Sequence, residues 1–442
     1  MKLFFLIILD ITFLSNCKEL LRGVFEISRE GVKLPIKSIE DIINKYEYFK
    51  DELSGIGERQ QFLLGLKKHN RYIENNNLIN KSYDPYDIFF GSCGTNSSFE
   101  SALAQLQGLY PSGTNLNLSK TAISNSIPPN KENFNDIQKE LGVNSLPYNI
   151  GVFPVHKLFN KEFQFNLIFP ENCPEIENLM IKRQKRRNIK DLMKEFNKRF
   201  KDKFQNKNNH FSYNDIFNIC NSIILEYSNG INMNKYGDNY FINELIEYSR
   251  RFLYFDLIGS DEKDDEIGLI TMSNTMKRII GWMDKKIKND INGEENSKNF
   301  DLPKLVMYSA TENHLGAFEA FMHAVFKTPF RYPYYSSSIY LELIRKKKKN
   351  SIKSFKENQY FINYYFDDEY IFSMSYSLFK KKILNSIKPN HLIENFCKIK
   401  KENIINFINF EKIIFSCLGT LLLICVHFIL FYKNNNNVKN IN

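Results

Sequence analysis

The sequence SREGVKLP (residues 28–35) follows directly after the apolar run GVFEI (residues 23–27). A short strand pattern therefore gives way to a loop at Gly31, and Pro35 stiffens the exit of that loop. Two basic residues and one carboxylate stand within five positions of this stretch. Loops at the ends of strands are where α/β proteins usually place ligands. The stretch is therefore the first candidate for a binding or catalytic site.

This loop resembles the signature of the histidine acid phosphatases, Arg-His-Gly-x-Arg-x-Pro. Arg29, Gly31 and Pro35 occupy matching positions. The nucleophilic histidine of the signature is replaced by Glu30, and its second arginine is replaced by Lys33. Other landmarks of the family follow in the same order along the chain, and they strengthen the resemblance.

Two landmarks lie in the first third of the chain. LSGIGERQQFLLG (residues 53–65) resembles the family segment Leu-Thr-x-x-Gly-x-x-Gln, and Ser54 is predicted to cap a helix there. Residues 88–111 resemble the family's apolar strand followed by a helix that ends in Gly-Leu-Tyr-Pro, but Gly91 stands where relatives have an arginine. The predicted apolar face of the first helix comprises Ile56, Phe62, Leu63 and Leu66, with a break near Gly65.

The last landmark is LVMYSATENHL (residues 305–315), which resembles the family's apolar strand plus Tyr-Ser-Ala-His-Asp. Thr311 stands in place of the histidine and Glu312 in place of the aspartate. His314 lies nearby and is a candidate for a displaced histidine, although the shift turns its side chain away. With this landmark the resemblance covers residues 22 to 397.

The resemblance implies an α/β fold of the phosphoglycerate mutase-like type, in which helices flank a mixed central sheet. The family also carries an inserted, mainly helical cap over the active site. Residues 175–259 have helical periodicity and are predicted to form this cap. The α/β domain then comprises residues 18–174 and 260–400. The resemblance further implies a disulfide that joins Cys173 to Cys397.

Both ends of the chain carry membrane signals. Residues 1–17 combine an early lysine with an apolar run and predict a signal peptide, with lipid attachment at Cys17 as the alternative. Residues 413–432 are almost uninterruptedly apolar and span about 30 Å as a helix, which predicts a transmembrane segment rather than a buried core helix. Residues 433–442 form a polar, lysine-containing tail, predicted to be cytosolic.

This arrangement predicts a single-pass type I membrane protein of the secretory or endolysosomal pathway or the cell surface, with its bulk outside the cytosol. It is similar in layout to the membrane-anchored lysosomal and prostatic-type acid phosphatases. Exposure to the secretory pathway would also permit glycosylation. Candidate acceptors in Asn-x-Ser sequons are Asn80, Asn96 and Asn117.

Composition restricts the partners. Hydrophobic residues make up 43% and charged residues 25% of the 442-residue chain, as in ordinary globular proteins. Much of the net charge of +10 lies in residues 182–203 and 345–349. We interpret the first run as a solvated helix face, with a membrane-surface or acidic-partner patch as the alternative, and predict no nucleic-acid partner. No metal-ligand spacing is visible, so no cofactor is predicted.

The family mechanism assigns a role to each signature position. In the histidine acid phosphatases the first histidine attacks phosphorus, the arginines and the second histidine hold the phosphoryl oxygens, and the aspartate protonates the leaving alcohol. Carried over by resemblance, the catalytic positions are Glu30 and Glu312, and the phosphate-binding positions are Arg29, Lys33 and Thr311. Of these, Arg29 alone is unchanged.

These replacements predict a loss of catalysis. Loss of a nucleophile costs on the order of 10⁶-fold in rate. Gly91 and Thr311 remove phosphate donors, which are worth on the order of 10²-fold each in comparable sites. A carboxylate at Glu30 can in principle form an acyl phosphate, but such sites use a metal to offset the repulsion between two anions. We therefore expect an impaired pseudophosphatase that acts as a lumenal or surface binding protein.

Other interpretations of the same residues stay open. Glu30 between Arg29 and Lys33 can form an internal ion pair that fills the space of the phosphate. An active acid phosphatase with a rearranged site would use Glu30, Glu312 or His314. A receptor for a phosphomonoester or another small anion would keep Arg29 and Lys33 as its cations.

Overall fold

The computed structural model describes residues 17–34, 51–128, 139–157, 173–200, 210–230, 239–259, 266–294, 302–348, 357–389, 392, 393 and 397. Residues 1–16 of the predicted signal peptide and the predicted transmembrane segment and tail (residues 413–442) lie outside these residues, as does Pro35. Cys17, the last residue of the predicted signal peptide, is described and lies at the start of a strand. Within the described ranges, no helix has the length and apolar character needed to cross a membrane.

A mixed sheet of seven strands forms the centre of the described structure, in the order β3-β2-β4-β1-β5-β6-β7. β1, β2, β3 and β4 are parallel, whereas β5, β6 and β7 pair in antiparallel fashion. β1 lies inside the sheet, between β4 and β5, which explains its apolar run. The strands are β1 (Cys17–Arg29), β2 (Ile88–Ser92), β3 (His156–Lys157), β4 (Leu305–Ala310), β5 (Ser338–Lys348), β6 (Tyr360–Phe366) and β7 (Glu369–Ser375).

Helices cover both faces of this sheet. Phe25 and Ile27 of β1 point into the core formed with the helices 266–292, 312–326 and 376–386, whereas Val24 points to the core formed with the helix 96–109. The predicted mixed α/β fold is therefore confirmed. The helices are α1 (Gly55–Lys68), α2 (Asn96–Leu109), α3 (Lys120–Ser124), α4 (Pro174–Gln184), α5 (Arg187–Phe200), α6 (Tyr213–Ser228), α7 (Asn239–Leu257), α8 (Glu266–Asn292), α9 (Glu312–Phe326) and α10 (Tyr376–Ser386).

Helices α4 to α7 are consecutive in the chain, and α5, α6 and α7 share an apolar core. That core contains aromatic pairs such as Phe196 with Tyr248, whose ring centroids are 5.2 Å apart. Asn229, directly after α6, donates a hydrogen bond to the carbonyl oxygen of Lys33 at 2.8 Å. This contact places the end of α6 against the loop that follows β1.

A disulfide joins Cys173, at the start of α4, to Cys397. The pairing that the family resemblance implied is therefore confirmed. The sulfurs close a loop with a sequence separation of 224 residues. Cross-links over long loops stabilise a fold chiefly by restricting the unfolded chain. Cys93 and Cys220 are buried free thiols.

The predicted apolar face of α1 was wrong. Ser54 does cap this helix, since its hydroxyl accepts a hydrogen bond from the backbone N–H of Gly57. However, Phe62 is 37% and Leu63 54% exposed, and the helix continues through Gly65. The buried residues of α1 are Gly57, Gln61, Gly65 and Lys68.

The reason is a close contact between the backbones of α1 and α2. A Cβ atom on Gly65 would lie 2.0 Å from the carbonyl oxygen of Gln105, and one on Gly108 would lie 2.0 Å from that of Phe62. Only glycine permits this approach. The glycine side of α1 is therefore the buried side.

Gly65→Ala should lower the free energy of unfolding by about 1–3 kcal/mol, because the new methyl group forces α1 and α2 apart. Gly55→Ala is the matched control, since nothing lies within 4 Å of its Cβ position in the same helix. Urea denaturation of both variants checks this. Equal midpoints for the two variants would contradict the close helix contact.

Candidate active site

The predicted site residues meet at one edge of the sheet. β1, β2 and β4 are parallel neighbours, with Arg29 opposite Ala310 and Ser92 opposite Ser309. Their carboxyl ends therefore face the same side, where α/β proteins bind ligands. The loops that leave these strands bring Glu30 and Lys33, the start of α2, and the start of α9 together.

Glu30 is buried in an ion-paired cluster. Its side chain is 3% exposed, and Oε1 lies 2.9 Å from Nζ of Lys33. The same Nζ lies 2.7 Å from Oδ1 of Asp51. The Ser97 hydroxyl lies within hydrogen-bond distance of both carboxylates, at 3.2 Å from Glu30 and 2.9 Å from Asp51. Lys33 thus bridges two carboxylates, and its ammonium group is occupied.

Burial sets the electrostatics of this cluster. Desolvation raises the pKa of the Glu30 carboxyl above its usual value, and attraction to Lys33 only partly offsets this. For Lys33 burial alone would lower the pKa of the ammonium group, but Glu30 and Asp51 outweigh it and raise that pKa. The cluster therefore keeps Lys33 protonated.

Arg29 is also occupied on several sides. It is 6% exposed, and Nη1 donates a hydrogen bond of 2.6 Å to the carbonyl oxygen of Pro333. Nη2 lies 3.4 Å from Oε2 of Glu312, and the guanidinium lies 4.1 Å from the ring centroid of Tyr335. Of the three guanidinium nitrogens of Arg29, Nε is buried without a hydrogen-bond partner in the described part of the chain.

Thr311, Glu312 and His314 lie where α9 begins. Glu312 is the first residue of the helix, and burial together with the nearby Glu312 carboxylate raises the pKa of the Tyr332 hydroxyl. The Thr311 hydroxyl lies 2.8 Å from Nδ1 of His314, which is 5% exposed. Burial lowers the pKa of the His314 imidazole to about 4. His314 is therefore a neutral, inward-facing residue that contacts Thr311.

Gly91 occupies the position of the missing arginine. It lies inside β2 and pairs with Tyr308 of β4 and His156 of β3. It contributes backbone to the sheet and no charge to the site.

A buried polar network supports the signature loop from below. Gln61 of α1 donates a hydrogen bond to the carbonyl oxygen of Arg29 at 2.9 Å and is hydrogen-bonded to Gln105 of α2. Gln105 in turn contacts Lys68, which forms an ion pair with Glu26 of β1. Both members of this pair are fully buried. The network fixes the loop to both helices and to the strand that precedes it.

The sequence did not indicate Asp51 or Ser97. Asp51 lies 18 positions after Lys33, so no local pattern connects them. Ser97 lies at the start of α2, next to other hydroxyl residues such as Thr95 and Ser98. The assembled site contains two cations, Arg29 and Lys33, in contact with three carboxylates. It therefore carries no excess positive charge for an incoming phosphate. Among the described residues, no group of three or more His, Cys, Asp or Glu side chains could hold a metal ion.

Comparison with known proteins decides the family. Residues 21–367 match the model of the histidine phosphatase superfamily (branch 2). The chain belongs to this family. This confirms the family that the signature loop and the later landmarks indicated. No curated protein sequence gives a significant match.

Solved structures of phytases share the fold of this histidine phosphatase family member. Hafnia alvei phytase in complex with tartrate has a TM-score of 0.54 and 10% identity, over 84% of this chain and 98% of the phytase. Klebsiella sp. ASR1 phytase has a TM-score of 0.53 and 10% identity, over 84% of this chain and 97% of the phytase. Citrobacter braakii phytase has a TM-score of 0.52 and 10% identity, over 84% of this chain and 98% of the phytase. At this identity the likeness concerns the fold.

Lys33→Met should cost about 3 kcal/mol of stability at pH 7, because it leaves the buried Glu30 carboxylate without its cation. Glu30→Gln should cost clearly less, since Lys33 keeps Asp51 as a partner. The double variant should be more stable than the sum of the single changes predicts. A double-mutant cycle by urea denaturation measures this coupling, and additive effects would contradict the paired cluster.

The stability of the protein should depend on His314 between pH 6.5 and 4. In the unfolded chain the imidazole takes up a proton below about pH 6.5, whereas the folded protein takes it up only near pH 4. Protonation of His314 in the unfolded chain therefore lowers the free energy of unfolding as the pH falls through this window, by about 3 kcal/mol in total. His314→Asn should lose less stability than the wild type between pH 7 and 4. Parallel pH profiles of the two proteins in urea denaturation would refute this.

Proposed function

We propose that this histidine phosphatase family member is catalytically impaired and acts as a binding protein on the lumenal or outer side of a membrane. The observation that carries the proposal is the occupation of both signature cations by the protein's own groups. Lys33 is held between Glu30 and Asp51, and Arg29 is held by Glu312. A phosphate ester would have to displace these carboxylates before it could bind.

The chemistry of the signature loop supports the same proposal. Glu30 stands at the position of the family nucleophile, and a carboxylate would meet the phosphoryl group as a second anion. Its oxygens already contact Lys33 and Ser97. His314, the candidate substitute imidazole, contacts Thr311 and is buried. We therefore assign Arg29, Lys33 and Thr311 to a former phosphate site, and Glu30 and Glu312 to former catalytic positions.

The location outside the cytosol is part of the proposal. It rests on the predicted signal peptide (residues 1–17) and the predicted transmembrane segment (residues 413–432). The disulfide between Cys173 and Cys397 supports it, because disulfides persist mainly in oxidising compartments. The acceptor asparagines of all three sequons are exposed, which would permit glycosylation.

We also propose that residues 175–259 form the family's cap. The hydrogen bond from Asn229 to the Lys33 carbonyl supports this, since it brings the helical segment onto the signature loop. A cap in this place would limit which ligands reach Arg29 and Glu30.

An active acid phosphatase with a rearranged site is the second candidate. The 3.4 Å contact between Arg29 and Glu312 favours it, because it pairs a phosphate-binding cation with a potential general acid. The two candidates differ in one measurable property, the turnover of a phosphomonoester.

Hydrolysis of p-nitrophenyl phosphate and of phytate at pH 5 should be no faster with the full chain than with its Glu30→Ala variant. The physical reason is the missing nucleophile, whose loss costs on the order of 10⁶-fold. An active phytase assayed in parallel is the positive control, and circular dichroism verifies that the variant is folded. Turnover by the wild type well above the folded Glu30→Ala variant would overturn the proposal in favour of the second candidate.

A further inference from the structure

A groove of about 440 Å³ lies on the helical segment. It is formed by the end of α4, one face of α5 and the first residue of α6, and we call it the α4–α5 groove. Its volume lies in the range of small-molecule sites. Its lining includes Ile181, Lys185, Lys190, Met193, Lys194 and Tyr213.

The floor of the α4–α5 groove is apolar. Met193 and Tyr213 are partly buried and pack against the apolar core of the helical segment. Ile181 is 41% exposed and lies beside them in the groove. Apolar side chains that line a concavity and remain open to solvent are typical of binding sites.

The rim of the groove is basic. Lys190 and Lys194 are one helical turn apart on α5, and Lys185 directly follows α4. Asp191 lies 3.6 Å from the ammonium group of Lys194 and offsets part of its charge. Within the described part of the chain, the ammonium groups of Lys185 and Lys190 have no ion-pair partner. These two cations are available to an anionic group of a ligand.

The groove is distant from the signature loop. Tyr213 is the first residue of α6, whereas Asn229, which contacts Lys33, follows the last one. At 1.5 Å per residue these two ends are about 24 Å apart. A ligand in the groove therefore does not touch Arg29, Glu30 or Lys33.

We propose that the α4–α5 groove binds a small organic anion that has an apolar body, such as a carboxylate on an aliphatic chain or an aromatic ring. The body would lie on Ile181 and Met193, and the carboxylate would face Lys185 and Lys190. The apolar floor and the basic rim are both needed for selective binding. An exposed ion pair alone contributes little, and the apolar floor alone does not distinguish an anion from a cation. This site is additional to the proposed function and independent of it.

Isothermal titration of the full chain with 4-phenylbutyrate tests the proposal. 4-Phenylbutylamine has the same body with the opposite charge, and acetate has the charge without the body. We expect saturable 1:1 binding of the carboxylate, and binding of the amine and of acetate weaker by at least about tenfold. The cations of the rim would repel the amine, and acetate lacks the apolar body that would contact the floor.

Variants locate the site. Lys190→Glu and Ile181→Asp should each weaken 4-phenylbutyrate binding by at least about tenfold, and both positions are exposed, so the fold should persist. Lys182→Glu is the matched control, because it makes the same charge reversal on α4 outside the groove lining and should leave the affinity within about threefold. Absence of binding, equal affinity for the amine, or equal effects of Lys190→Glu and Lys182→Glu would each overturn the proposal.

Discussion

A buried carboxylate that needs a cation governs the candidate site. Glu30 lies at the end of a central strand, where it is almost completely removed from water. An isolated charge in that position would be costly, so the loop must supply a compensating group. Lys33 does so from three residues further on, and Asp51 and Ser97 complete the cluster. The conformation of the loop and the charge of the site both follow from this requirement.

The same principle operates at Arg29. Its guanidinium is surrounded by a carbonyl oxygen, a carboxylate and an aromatic ring, which together replace the hydration that burial removes. In an enzyme of this family a phosphate would provide that compensation. Here Glu312, at the beginning of α9, contacts the arginine directly. At the sheet edge that would suit an anion, both cations are thus occupied by the protein's own carboxylates. This is the physical basis for proposing a binding role instead of catalysis.

The position of the loop depends on how closely the helices approach it. A Cβ atom on Gly31 would lie 2.6 Å from the carbonyl oxygen of Gly57, so α1 packs directly against the loop backbone. The glycine contact between α1 and α2 then aligns Gln61 and Gln105 beneath Arg29. Because these contacts bury glycine and polar residues, α1 turns Phe62 and Leu63 outward. An amphipathic pattern could not predict this, since it assumes that the larger apolar face is the buried one.

The sequence alone determined the family, the mixed α/β fold, the loop after β1 and the cap of α1 at Ser54. These features depend on local signals, namely an apolar run, a glycine, a capping hydroxyl and the order of short motifs along the chain. The resemblance also indicated the pairing of Cys173 with Cys397. Only the tertiary structure decided which carboxylates neutralise the two cations. Asp51 and Glu312 are distant from them in the sequence, and the energy of an ion pair depends on separation in space and on burial, neither of which a linear pattern contains.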